Sequence, residues 1–66
     1  MNVETIGTNA GLIWNALNEN KSMTLKDLKK ATKLKEKEAF LALGWLAREG
    51  KVSLEEAEKD VIITLL

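Results

Sequence analysis

The spacing of the hydrophobic residues changes at Gly50, and this change restricts the fold more than any other feature of the chain. Before Gly50, apolar residues recur every three or four positions, which is the period of an amphipathic helix with one buried face. From Lys51 onward they alternate with polar residues, which is the period of a β-strand. We therefore expect a helical part up to Gly50, followed by a small β-structure.

The first helix is predicted near the N-terminus. Its buried stripe consists of Ile6, Ala10, Ile13, Trp14 and Leu17. Glycines weaken the first turns of this segment, and Thr8 is therefore a candidate N-cap for a helix that begins at Asn9.

Two more helices are predicted before Gly50. The second is capped by Thr24 and ends near Thr32, with a buried face of Leu25, Leu28 and Ala31. The third runs from about Glu36 to Glu49, with Ala39, Leu43, Leu46 and Ala47 on its inner face and Phe40 at the margin. Gly50 can adopt the left-handed conformation that closes a helix.

The last part of the chain predicts a β-hairpin. Its first strand contains Val52 and Leu54, its second contains Val61, Ile63 and Leu65, and residues 57–60 join the two. A short stretch from Ser22 to Thr24 is a candidate third strand of the same sheet.

This order of elements is the layout of a winged helix-turn-helix domain of the α+β class, and we expect residues 1–66 to form one such domain. The segments ETIGTNAG (Glu4 to Gly11) and LALGWLAREGK (Leu41 to Lys51) resemble a family of small prokaryotic winged helix-turn-helix proteins of uncharacterised function. The resemblance extends over nearly the whole chain and implies the fold, but no ligand or catalytic residues. Lys35 departs from it, because a Ser or Asp cap is more usual before the third helix.

The composition argues against catalysis. The chain contains no His and no Cys, so the commonest general base, the thiolate nucleophile and the usual zinc ligands are missing. The carboxylates of Glu55, Glu56, Glu58 and Asp60 lie among polar residues, as in a solvated hairpin. We expect no enzyme activity, no cofactor and no metal. An N-terminus without the features of a signal peptide, and the lack of a long apolar run, predict a cytoplasmic protein.

Positive charge is concentrated in the second helix and at the start of the third. Residues 21–37 contain seven Lys against Asp27 and Glu36, a net charge of +5, although the whole chain is neutral. The candidate phosphate-binding residues are Lys26, Lys29, Lys30, Lys33, Lys35 and Lys37. An ordinary solvated face explains these lysines equally well, and the sequence leaves both interpretations open.

The outward face of the third helix lacks the residues that read bases. A helical wheel places Lys37, Glu38, Leu41, Trp45, Arg48 and Glu49 on it. Groove readout favours Arg, Lys, Asn and Gln, and this face has neither Asn nor Gln. We therefore expect a DNA-associated or transcription-related module whose binding, as a monomer, is weak or independent of sequence.

Trp45 leaves three interpretations open: it lies across the edge of the core, it contacts another chain together with Leu41, or it stacks on a nucleobase. The last strand adds Ile62 and Leu66 as surplus apolar residues, which either contact the first helix or belong to an interface. Leu41, Trp45, Ile62 and Leu66 are thus the candidate protein interface, and a homodimer is expected. The alternative function is accordingly a protein-interaction or dimerisation module that uses the outward face of the third helix.

Overall fold

The chain folds into three helices and a three-stranded antiparallel sheet, in the order that the sequence predicts. This computed structural model describes residues 2–66. The elements are α1 (Val3–Asn20), β1 (Ser22–Thr24), α2 (Leu25–Thr32), α3 (Glu36–Arg48), β2 (Val52–Glu56) and β3 (Val61–Leu65). The predicted α+β architecture is confirmed, including the short third strand.

Helix α1 begins two turns earlier than predicted. Its N-cap is Asn2, whose Oδ1 accepts a hydrogen bond of 2.8 Å from the backbone N–H of Thr5. Thr8 is therefore not the cap, and its hydroxyl instead donates to the carbonyl of Glu4 within the helix. The glycines that argued for a later start cost about 1 kcal/mol each relative to Ala, a penalty that the packing of the buried face of α1 overrides.

Helices α2 and α3 have nearly the predicted bounds. The hydroxyl of Thr24 accepts a hydrogen bond of 3.1 Å from the Asp27 N–H. Helix α2 ends at Thr32, and its C-cap Lys33 has a left-handed backbone with φ of 61°. The last helical residue of α3 is Arg48, and Gly50 follows with φ of +72°. A residue without a Cβ adopts this conformation at little cost, which explains why the chain leaves α3 at Gly50.

Strand β3 lies in the centre of the sheet, between β1 and β2. Ile63 pairs with Met23 on one side and Leu54 on the other. Ile63 is part of the core and Met23 packs against it, whereas Leu54 is 47% exposed. The opposite face is more polar, and there the hydroxyls of Ser22 and Thr64 lie 3.1 Å apart. The wing is the hairpin of β2 and β3, closed by a hydrogen bond from the Ala57 N–H to the Asp60 carbonyl.

The core lies between the three helices and the inner face of the sheet. Its buried hydrophobic residues are Ala10, Ile13, Leu17, Leu25, Leu28, Ala39, Ala42, Leu43, Leu46, Val52 and Ile63. Ala42 is buried although the sequence pattern did not predict it. Ala31 and Trp14 were wrongly predicted to be buried, since both are exposed. Asn9 is also buried, and its amide nitrogen makes no hydrogen bond with the described residues.

Candidate nucleic-acid and protein-binding surfaces

Three of the candidate phosphate-binding lysines form a stripe on α2. Lys26, Lys30 and Lys33 follow one another at spacings of four and three residues, so they share one side of the helix, and all three are exposed. Lys35, at the N-cap of α3, and Lys37, in its first turn, are exposed as well. These five residues form what we call the lysine surface, which extends from α2 across the turn to the start of α3.

Lys29 stands apart from the lysine surface. It is half-buried, and its Nζ lies 3.4 Å from Oε1 of Glu36 at the start of α3. Both residues line a cleft in which the wing turn contributes Lys59 and Asp60. Lys29 is thus paired with Glu36 and joins α2 to α3. Lys26, which belongs to the lysine surface, lines the same cleft but is exposed.

The outward side of α3 is apolar in its middle. Phe40 is 48% exposed, Leu41 43% and Trp45 40%. The cations on this helix are Lys37 at its start and Arg48 at its end. Glu38 is half-buried, and its carboxylate accepts a hydrogen bond from the backbone N–H of Lys35. Glu38 was predicted to face outward, but its carboxylate is bound to the backbone at the N-terminus of α3.

Trp45 does not lie on the part of α3 farthest from the core. It leans toward α1 and lines a shallow groove of about 400 Å³, which we call the tryptophan groove. The residues that line the groove are Gly7, Ala10, Gly11, Trp14 and Asn15 of α1, Trp45 and Leu46 of α3, and Lys51. Trp14 is 38% exposed, so the two tryptophans of the chain meet the same groove and neither is sealed in the core.

The four candidate interface residues do not form one continuous patch. Leu41 lies one helical turn before Trp45 on α3. Leu66 is 71% exposed, and its N–H donates to the carbonyl of Lys51, another residue that lines the tryptophan groove. Ile62 is half-buried on the outer face of the sheet, where its partners in the register are Thr24 and Glu55.

The sequence did not identify Trp14, Gly7 and Gly11 as surface residues of a groove. Trp14 fitted the apolar stripe of α1, and a wheel of one helix cannot show which side chains of the stripe a neighbouring element covers. The spacing of the two glycines in the sequence was informative. Two glycines one turn apart in a helix are unfavourable unless something requires a close approach to the backbone.

The acidic side chains of the wing lie in β2 and in the turn, and most of them are exposed. Glu55, Glu56 and Glu58 face solvent, and the carboxylate of Asp60 accepts a hydrogen bond from the adjacent Val61 N–H. Within residues 2–66, no group of His, Cys, Asp or Glu side chains is arranged to hold a metal ion. In the same part of the chain, every helix is too short or too polar to cross a membrane.

Three helices, a wing and a third strand paired with it define the class of winged helix-turn-helix proteins. The chain belongs to the winged helix-turn-helix domain family DUF2582, whose model matches residues 1–65. The solution NMR structure of protein BT2368 from Bacteroides thetaiotaomicron is similar over 98% of this chain and 79% of that one, with 37% identity and a TM-score of 0.86. No curated protein matches the chain.

Proposed function

We propose that this domain associates with double-stranded DNA through the phosphate backbone, with little preference for sequence as a monomer. The observation that carries the proposal is the lysine surface, in which five exposed lysines lie on α2 and at the start of α3. The proposal includes a binding role without catalysis and a cytoplasmic location.

The position of the lysines supports phosphate contact. Winged helix-turn-helix domains commonly place α3 in the major groove while neighbouring elements meet the DNA backbone. Lys26 and Lys30 lie on the helix that precedes α3 in this motif, and Lys33 is its C-cap. Lys35 and Lys37 lie at the entrance to α3. Long, flexible ammonium side chains bind phosphates without reading bases.

The apolar middle of α3 argues against specific base readout. Phe40, Leu41 and Trp45 have no group that could form the paired hydrogen bonds by which Arg, Asn or Gln distinguish bases. The acidic wing would also be repelled by the phosphates of a groove that it approached. Both features favour an association in which α2, and not the wing, is the main electrostatic contact.

Titration of a labelled random duplex at several salt concentrations tests the proposal. If five phosphates are contacted, the logarithm of the association constant should fall with the logarithm of salt concentration with a slope of about −4 to −5. The double variant Lys26→Gln/Lys30→Gln should make this slope shallower by about 2. The matched control Lys21→Gln/Lys51→Gln removes the same charge from exposed positions outside the lysine surface and should bind like the wild type. No binding at low salt, or equal losses in both variants, would contradict the proposal.

A second candidate function is supported by the exposure of Leu41 and Trp45. Apolar side chains exposed together mark contact sites for proteins more often than for DNA. In this alternative the outward side of α3 binds another protein chain. The two functions use different surfaces, so one does not exclude the other.

A further inference from the structure

We propose that Glu36 limits the DNA affinity of the domain, because it holds Lys29 in an ion pair at the border of the lysine surface. When this carboxylate is removed, Lys29 adds a sixth ammonium group to the five that the lysine surface offers to phosphates. The inference rests on the proposed DNA binding and gives a positioning role to a residue that binds no phosphate itself.

Lys29 is not part of the lysine surface but lies at its border with the core. At 3.6 residues per turn, it lies about 40° around the axis of α2 from the buried Leu25 and about 60° from the exposed Lys26. A lysine at such a border can extend toward either side, because its flexible stem carries the ammonium group out of a half-buried position. The direction of Lys29 is therefore set by the partner that its ammonium group binds.

Glu36 is that partner. Its Oε1 lies 3.4 Å from Nζ of Lys29, and the side chains of Glu36 and Lys29 are 61% and 33% exposed. Glu36 is the first residue of α3, where the positive end of the helix dipole favours a carboxylate. This is the one ion pair within residues 2–66, so no residue of the lysine surface is paired in the same way. The pair thus separates Lys29 from the five free lysines beside it.

The ion pair lies in an open cleft between α2, the start of α3 and the wing turn. Lys26 and Lys59 line this cleft beside the pair, so a phosphate that approaches it is attracted by further ammonium groups. Asp60 lines it too, but its carboxylate accepts a hydrogen bond of 2.6 Å from the next backbone N–H. Glu36 is therefore the carboxylate that competes with a phosphate for Lys29, and its charge repels that phosphate as well.

The ion pair matters more for binding than for folding. Pairs between partly exposed side chains contribute little to the free energy of unfolding, and salt screens them. In contrast, each phosphate that a lysine neutralises releases condensed counterions, which is the main source of affinity that is independent of sequence. The loss of the Glu36 charge should therefore leave the fold intact and change the salt dependence of DNA binding.

Salt titrations of three variants with a labelled random duplex test the role of Glu36. Glu36→Gln should bind at least about threefold more tightly than the wild type at low salt, with a salt slope steeper by about 1. Lys29→Gln added to this variant should restore the slope of the wild type, because the freed ammonium group is the cause. The matched control Asp27→Asn removes an exposed carboxylate from the first turn of α2, where it forms no ion pair with residues 2–66. It should leave the slope unchanged.

The outcomes separate this inference from the proposed function. A wild type that binds while Glu36→Gln keeps the same slope, or an equal gain in Asp27→Asn, would overturn the role of Glu36 and leave DNA binding standing. Binding by Glu36→Gln but not by the wild type would support that role and contradict the proposed function. If neither bound at low salt, both would fail. Circular dichroism of each variant checks that the fold is unchanged.

Discussion

The backbone N–H of Lys35 donates a hydrogen bond to the carboxylate of Glu38, 3.0 Å away. Lys35 is the N-cap of α3, but an ammonium cannot accept a hydrogen bond from the first turn as Ser or Asp does. Only the second half of a capping box is therefore formed with side-chain oxygens at this end of the helix. The lysine that departs from the family pattern leaves an N–H without its usual acceptor.

Lys35→Ser is expected to stabilise the domain. A serine hydroxyl would accept a hydrogen bond from the Glu38 N–H, which contributes about 0.5–1 kcal/mol to the free energy of unfolding. Thermal unfolding should show a rise of several degrees in Tm, since about 1 kcal/mol corresponds to 4–8 °C in a domain of this size. The control Lys37→Ser, inside the first turn, should lower Tm slightly because Ser is a poorer helix former than Lys. An equal effect of both substitutions would show that the cap is not the cause.

Lys33→Gly is expected to stabilise the domain as well. Lys33 ends α2 with φ of 61° and ψ of 21°, a left-handed conformation that is unfavourable for a residue with a Cβ. Glycine relieves this strain, and we expect a gain of about 0.5–1 kcal/mol in the free energy of unfolding. Lys30→Gly, within α2, should instead lose about 1 kcal/mol. Urea unfolding of the two variants should therefore give shifts of opposite sign, and shifts of the same sign would contradict the assigned end of α2.

Leu28→Ala is expected to destabilise the domain severely. Leu28 is fully buried between the helices, and removing a buried leucine side chain costs about 2–5 kcal/mol. A chain of this length has a total stability of only about 3–10 kcal/mol, so circular dichroism should show a large unfolded fraction or a much lower Tm. Leu12→Ala removes the same atoms from an exposed position on α1 and should change the stability by less than about 0.5 kcal/mol. If both variants behaved alike, the described core would be wrong.

The fold could be predicted from the sequence because its signals are local. Thr24 capped α2 as expected, and Gly50 marked the end of α3 through a conformation that few other residues adopt. The predicted start of α1 is wrong because the unfavourable effect of glycine is local, whereas the start of the helix depends on the buried face on which it packs. Asn2 carried the correct signal, since it is a preferred N-cap residue just before an acidic first turn.

The candidate surfaces could be predicted only in part. The lysines of α2 were recognisable from charge alone, but the ion pair between Lys29 and Glu36 depends on how two helices meet. Trp14 and Ala31 are exposed because no neighbouring element covers their side of the helix. A helical wheel describes one helix alone and cannot show this. Trp45 lies at the edge of the core and is partly exposed, so contact with another chain and stacking on a base stay predictions.

The proposed DNA binding requires that the lysines of α2 contact phosphates while the apolar middle of α3 reads no bases. The most direct test is to measure the affinity of the protein for two duplexes of equal length and unrelated sequence, at the same low salt concentration. We expect the two dissociation constants to lie within about threefold of each other and both affinities to fall in parallel as salt rises. A preference of about a thousandfold or more for one duplex, as specific binders show, would contradict it.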